Sequence, residues 1–131
     1  MKALAFLLLS LPVFSWAHLV GLQALDPHLT PKENLKFDFG KVPLNETYYT
    51  IFTLNAPKDK DLKISEIGIT GEMFQGYTEC GDTLPKGTSC DSEIDFTPTS
   101  LGPHKGQFWV RTDQGDVVVD LTGEGVEAPS N

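Results

Sequence analysis

The sequence predicts an all-β protein, folded as a single antiparallel β-sandwich of about seven strands. Apolar and polar residues alternate in short segments, and each segment ends at a cluster of Gly, Pro, Asn or Asp, as expected for strands joined by turns. No window of adequate length has the apolar spacing of an amphipathic helix. Six or seven such segments within about 100 residues are typical of a two-sheet sandwich. The segments cover residues 35–40, 47–54, 62–70, 91–98, 106–112 and 116–123.

The alternation also predicts which side chains form the core, because residues two apart in a strand share a face. In the third segment the apolar phase slips between Ile64 and Ile67. This slip predicts either a bulge near residues 65–66 or a strand that turns from one sheet to the other. The residues predicted to point inward are Phe52, Leu54, Ile94, Phe96, Phe108, Val110, Val117, Val119 and Leu121.

The first 17 residues have the pattern of a secretory signal peptide. Lys2 precedes an apolar run at residues 3–14, and small residues follow at Ser15 and Ala17. The apolar run is too short to cross a bilayer, so an uncleaved anchor is the weaker interpretation. Cleavage after Ala17 would leave no membrane span and would place the mature chain in a bacterial periplasm or outside the cell.

The chain contains two cysteines, Cys80 and Cys90. A catalytic dithiol usually has the closer C-x-x-C spacing, and a structural zinc site needs four ligands. In an oxidising compartment two cysteines are normally bridged, so the sequence predicts a disulfide. Closing a loop of this length stabilises the fold by about 2.5 to 3 kcal/mol through the entropy of the unfolded chain.

The formal net charge of −8 excludes two classes of partner. A chain this acidic repels nucleic acid and anionic membrane surfaces. The length fits one folded domain after removal of the signal peptide. We therefore expect a signal peptide at 1–17, an N-terminal segment at 18–34 that is a strand or an arm, the sandwich at 35–125 and a tail at 126–131.

The order of several motifs resembles that of a known family. The motifs are "FDFGKV", "FTLNA", "LKISEIGITGEMF", "LPKGTSC", "IDFTPTSLGPHKGQFWVRT" and "VDLTGEG". Together they resemble the immunoglobulin-like domains of the Hydin and abnormal-spindle type, in particular the choice-of-anchor D form of exported bacterial proteins. The resemblance implies an immunoglobulin-like sandwich with a scaffolding or protein-interaction role, and it carries over no catalytic residues.

The residues themselves also predict a protein that is not an enzyme and needs no cofactor. The sequence lacks a G-x-S-x-G elbow, a Gly-rich phosphate loop and an H-E-x-x-H zinc pattern. The main functional hypothesis is therefore an exported, non-enzymatic interaction module that binds a protein partner or a second copy of itself.

Four residues are candidates for the binding surface. Alternation places Trp109 and Arg111 on the outer side of their strand, and these residue types are enriched at binding hot spots. A turn at residues 114–115 would set Trp109 opposite Asp120 and Arg111 opposite Val118. They either form an interface or serve as cross-strand cover. Phe74 and Tyr77 either extend that patch or close one end of the sandwich.

Two alternative functions remain open. Cleavage after Ala17 would give His18 a free α-amino group, and amine plus imidazole nitrogen can chelate Cu(II). His28 or His104 would have to supply a second imidazole, which makes a copper-binding periplasmic protein the first alternative. The second is a surface adhesin or glycan-binding module that uses Trp109.

Overall fold

The computed structural model describes residues 28–129, which form two packed β-sheets. The predicted signal peptide and His18 lie outside the described residues. The described residues form nine strands, and two of these strands have only two residues. They are β1 (His28–Leu29), β2 (Glu33–Pro43), β3 (Tyr48–Asn55), β4 (Leu62–Thr70), β5 (Phe74–Thr78), β6 (Thr83–Leu84), β7 (Ser89–Phe96), β8 (Gly102–Thr112) and β9 (Gly115–Val126).

The strand order defines the two layers of the sandwich. One sheet has four strands in the order β1-β3-β7-β5, and the other has five in the order β2-β9-β8-β4-β6. Most ladders are antiparallel, whereas β1 pairs with β3 and β2 pairs with β9 in parallel. The predicted sandwich is confirmed. Within residues 28–129 no helix is long and apolar enough to cross a membrane.

The core between the sheets contains the side chains that alternation predicts. All nine residues predicted to point inward are at most 4% exposed. Phenylalanine rings dominate one end of the core, where Phe74 stacks on Phe96 with ring centroids 4.9 Å apart. Phe37 meets Phe39 edge to face at 4.8 Å. The alternating sequence therefore folds by burying one face of each sheet against the other.

The predicted irregularity in the third segment is a β-bulge in β4. The register with β8 shifts between Ile64 and Glu66, so Ser65 is the extra residue. The extra residue places Ile64 and Ile67 on the same face of β4, where Ile64 is buried and Ile67 is partly buried against the core. The bulge therefore lets the apolar residues on both sides of Ser65 face the core.

The disulfide between Cys80 and Cys90 is confirmed, with a Cα–Cα distance of 5.3 Å. It closes the loop that carries β6, and β6 pairs with β4 at Leu62 and Lys63. Cys80 follows β5 and Cys90 lies near the start of β7, so the bond joins two paired strands of the four-stranded sheet. It closes the base of the loop that crosses to the opposite sheet at β6.

The last hairpin closes one residue earlier than the pattern predicts. Thr112 pairs with Gly115, so the turn consists of Asp113 and Gln114. The hydroxyl of Thr112 accepts a hydrogen bond from the backbone N–H of Gln114 at 3.0 Å. The backbone N–H of Asp113 donates to the carbonyl of Lys63 on β4 at 3.0 Å. These contacts, which the hairpin pattern does not contain, fix the earlier turn.

The earlier turn shifts the cross-strand partners of Trp109 and Arg111 by two positions along β9. Trp109 lies opposite Val118 and Arg111 lies opposite Asp116. The predicted pairing of Trp109 and Arg111 with Asp120 and Val118 is therefore wrong. A turn shifted by one residue moves the register by two, so both side chains keep the predicted outer face.

Candidate functional site

Trp109 lies on the outer face of the five-stranded sheet and is half-buried. Its indole ring covers Gly68 on the neighbouring strand β4, where a Cβ atom would collide with the ring. The indole Nε1 donates a hydrogen bond to Glu66 Oε2 at 3.1 Å. The absence of a side chain at Gly68 allows the ring to lie flat on the sheet.

Arg111 is held between two carboxylates on the same face. Its Nε lies 3.1 Å from Glu66 Oε1, and one of its terminal nitrogens lies 3.4 Å from Asp116 Oδ2. The side chains of all three residues are about half exposed, so each pair contributes at most about 1 kcal/mol. Trp109 and Arg111 therefore link β4, β8 and β9, which is the role of cross-strand cover. A shallow depression of about 220 Å³ lies beside them.

The other two candidates, Phe74 and Tyr77, lie in different parts of the sandwich. Phe74 is 4% exposed and packs among the core rings, so it closes the sandwich and does not extend a surface patch. Tyr77 is 57% exposed and lies on β5, in the four-stranded sheet. The structure therefore does not bring Tyr77 together with Trp109, which belongs to the opposite sheet.

The outer face of the four-stranded sheet carries most of the exposed large apolar side chains. Among residues 28–129 there are four of these, and three lie on this face: Tyr49 at 52%, Ile51 at 41% and Tyr77 at 57%. The fourth, Leu101, lies in the loop before β8. Tyr49 and Ile51 come from β3, and Tyr77 comes from β5.

A column of carboxylates on the central strand β7 separates these apolar residues. Asp91, Glu93 and Asp95 occupy alternate positions of β7, so their side chains share the outer face. Glu93 lies between Ile51 on one side and Tyr77 on the other in the register of the sheet. We call the surface formed by Tyr49, Ile51, Tyr77, Asp91, Glu93 and Asp95 the tyrosine–acid face.

The described residues do not neutralise this column. Within residues 28–129 both ion pairs belong to Arg111, on the opposite sheet. Asp91 accepts a hydrogen bond from the hydroxyl of Thr53 at 2.7 Å. The column therefore has no cationic partner among the described residues.

Asp95 is the carboxyl group whose environment is most unusual. Partial burial, a hydrogen bond with Glu93 and the negative charge of Glu93, in that order of size, together raise the pKa of Asp95 to about 6. Its Oδ1 atom is buried without a hydrogen-bond partner. Asp95 and Glu93 thus lie close enough to form a hydrogen bond, and Asp95 is ionised mainly above about pH 6.

A slot separates the two sheets along one side of the sandwich. Among residues 28–129, β4 beyond Leu62 and Lys63 is paired only with β8, and β5 is paired only with β7. The slot has a volume of about 130 Å³ and is lined mainly by Ile67, Ile69, Gly76, Tyr77 and Phe108. In the described part of the chain, two sheet edges are therefore unpaired beside the tyrosine–acid face.

The histidines proposed as copper ligands are distributed as follows. His104 is engaged, because its Nε2 lies 2.9 Å from the carbonyl oxygen of Ser100 and its ring centroid lies 6.0 Å from that of Phe96. His28 belongs to β1. Among residues 28–129, no three His, Cys, Asp or Glu side chains form a group that could hold a metal ion. Since His18 is outside this range, copper binding stays a prediction.

Pattern reasoning found Tyr77 but missed the rest of the tyrosine–acid face. Two sequence segments contain a signal for it. In "TYYTIFTL", Tyr49 and Ile51 alternate with core residues, and in "DSEIDF", Glu93 and Asp95 do the same. These residues form one surface only because β3 and β5 lie on either side of β7, and this strand order brings together segments that are far apart in sequence.

No family model and no curated protein matches this chain. Solved structures do match it. The secreted serine protease VesC from Vibrio cholerae has 19% identity and a TM-score of 0.51, over 71% of this chain and 22% of that one. The V. cholerae VesB protease has 15% identity and a TM-score of 0.56, over 70% and 30%.

One domain of a human protein matches over most of the length of that domain. The ASH or PapD-like domain 7 of CEP192 has 17% identity and a TM-score of 0.54, over 74% of this chain and 84% of that domain. At these identities the likenesses show the fold alone, an immunoglobulin-like sandwich. The chain spans less than a third of the two proteases.

Proposed function

We propose that this chain is an exported, non-enzymatic protein-interaction module that binds its partner through the tyrosine–acid face. The observation that carries the proposal is the clustering of three of the four exposed large apolar side chains on that face. Tyrosine is enriched at binding hot spots, and clustered exposed apolar residues rimmed by polar groups mark interaction sites.

The tyrosine–acid face is better suited to docking than the surface around Trp109. Trp109 and Arg111 already have intramolecular partners, so a ligand would have to compete with Glu66 and Asp116. The apolar groups of Tyr49, Ile51 and Tyr77 face solvent. Covering them with a partner would remove apolar area from water without breaking existing contacts.

Export and the lack of catalysis are supported by separate observations. The signal-peptide pattern at residues 1–17 and the disulfide between Cys80 and Cys90 both fit an oxidising compartment. One structural neighbour is described as a secreted protease. The non-enzymatic assignment is supported by the sequence, which contains none of the catalytic motifs considered above.

Site-specific photo-cross-linking in the exporting cells would test the docking face. A benzophenone amino acid replaces Tyr77 in one variant and Gln107 in another. Gln107 is exposed beside Trp109 on the opposite sheet and serves as the control. We expect a discrete adduct from position 77 and none from position 107. An adduct only at position 107 would move the binding surface to Trp109, and no adduct at either position would refute the proposed docking face.

A further inference from the structure

The carboxylate column of the tyrosine–acid face has a regular spacing. Asp91, Glu93 and Asp95 are alternate residues of one strand, so successive side chains are separated by about 6.5 to 7 Å. Any other extended chain repeats its side chains on one face at the same interval. A partner segment that runs along β7 could therefore place one side chain opposite each carboxylate.

The charge of the column restricts what that segment can be. In the described part of the chain no Lys, Arg or His forms an ion pair with the column. Three neighbouring carboxylates without a cationic partner are complementary to side chains that are cationic and donate hydrogen bonds.

A second copy of this chain is a poor occupant of the same face. Face-to-face self-association would bring two carboxylate columns together, and the whole chain has a formal charge of −8. Like charges that meet in an interface oppose association. The same argument excludes phosphate-bearing ligands and leaves a cationic protein segment.

The residues beside the column can pack against the aliphatic parts of Lys and Arg side chains. Tyr49 and Ile51 border it on β3, and Tyr77 borders it on β5. The hydroxyl of Tyr77 donates to Gln75 Oε1 at 3.0 Å, which orients the ring on the sheet. Lys and Arg stems pack on apolar surface, and their charged ends are attracted to aromatic faces.

From this combination we infer that the partner of the tyrosine–acid face is an extended protein segment with Lys or Arg at every second position. The inference rests on the proposed function, because it specifies the chemistry of the partner for the same surface. Each cation would lie over one carboxylate of β7, with its aliphatic stem against a bordering tyrosine or isoleucine.

Synthetic peptides provide the test. The mature protein with its disulfide formed is titrated at pH 7.5 and low salt with three nine-residue peptides. In the first lysine alternates with threonine, the second has the same composition with its lysines consecutive, and the third replaces lysine by glutamate. Amide chemical shifts are recorded by NMR. We expect the alternating lysine peptide to bind best and to shift amides of β3, β5 and β7.

Two matched variants separate a specific face from general attraction to an acidic protein. Glu93→Gln combined with Asp95→Asn should weaken binding of the alternating peptide on the order of tenfold, since two exposed ion pairs are lost. Asp120→Asn combined with Glu124→Gln removes two exposed charges from the opposite sheet and should weaken it less than twofold. Comparable weakening by both variants, or equal binding of the consecutive-lysine peptide, would overturn the inference.

The two proposals can fail separately. If position 77 cross-links to a partner but the alternating lysine peptide does not bind, the docking face stands and its cationic specificity is wrong. If neither occurs, both proposals are wrong.

Discussion

At the scale of single residues, Gly68 shows how a small side chain shapes a surface. The indole of Trp109 occupies the space above Gly68, so a larger residue there must displace the ring. We predict that Gly68→Val lowers the free energy of unfolding by about 1 to 3 kcal/mol, the usual cost of overpacking. Urea unfolding monitored by tryptophan fluorescence measures this change.

Gly81→Ala is the control for Gly68→Val, because nothing lies within 4 Å of a Cβ atom at Gly81. This variant should keep its unfolding midpoint within about 0.5 kcal/mol of the wild type. If both variants were equally stable, the tryptophan would not be needed as cover, and an interface role for Trp109 would become the better interpretation.

Asp95 predicts a pH dependence of stability whose sign is opposite to that of an ordinary paired carboxylate. Its pKa is about 6 in the folded protein and 3.8 in the reference state. The folded state therefore binds the proton more tightly, so this group destabilises the fold above about pH 6. That effect is relieved as the pH falls from 6 toward 3.8.

Asp95→Asn removes the titrating group and retains a hydrogen-bond donor toward Glu93. We expect the variant to be at least as stable as the wild type at pH 7.5. The difference between the two should shrink as the pH falls from 7 to 5. Thermal unfolding at several pH values measures it. A variant that is less stable than the wild type by the same amount at every pH would contradict the raised pKa of Asp95.

At the scale of elements, the disulfide determines whether β6 stays on the sheet. β6 has only two residues, and the backbone N–H of Ile64 donates to the carbonyl of Asp82 at 2.8 Å beside it. We predict that Cys80→Ser combined with Cys90→Ser lowers the free energy of unfolding by about 2.5 to 3 kcal/mol. Chemical denaturation measures the loss.

Hydrogen exchange shows where the disulfide acts. In the double serine variant the amide of Ile64 should exchange much faster than the amides in the centre of β9, because the loop that carries β6 is no longer closed. Equal acceleration of exchange throughout both sheets would instead mean that the disulfide stabilises the fold only globally.

The same elements show what the sequence could and could not predict. Alternation predicted the core and an irregularity in β4, because both depend on neighbours in the chain. The last hairpin was misplaced by one residue, because a backbone hydrogen bond from Asp113 to Lys63, on a strand about 50 residues earlier, contributes to its turn. Local patterns therefore predict faces better than they predict register.

At the scale of the whole molecule, the candidate site was less predictable than the fold. Tyr49, Glu93 and Tyr77 become neighbours only because β3 and β5 both pair with β7. Each of these residues alone has the pattern of a solvent-facing strand position. The order of strands in a sheet is decided by packing between distant segments, so a surface made by three strands has no signature in any one of them.

The net charge should keep copies of the protein apart. The formal charge is −8 at pH 7 and the isoelectric point is about 4.7. We predict a monomer at pH 7.5, because mutual repulsion opposes contact between the tyrosine–acid faces. Near pH 4.7 the net charge vanishes and part of the column is protonated, so the exposed apolar groups should drive self-association through this face. Sedimentation velocity at the two pH values measures the change.

Two serine variants locate the surface responsible for association at low pH. Ile51 and Leu101 are both exposed apolar residues, but Ile51 belongs to the tyrosine–acid face and Leu101 lies in the loop before β8. Ile51→Ser should keep the protein monomeric near pH 4.7, whereas Leu101→Ser should associate like the wild type. The reverse result would place the apolar surface that drives association in the loop before β8. It would also remove the main reason for assigning partner binding to the four-stranded sheet.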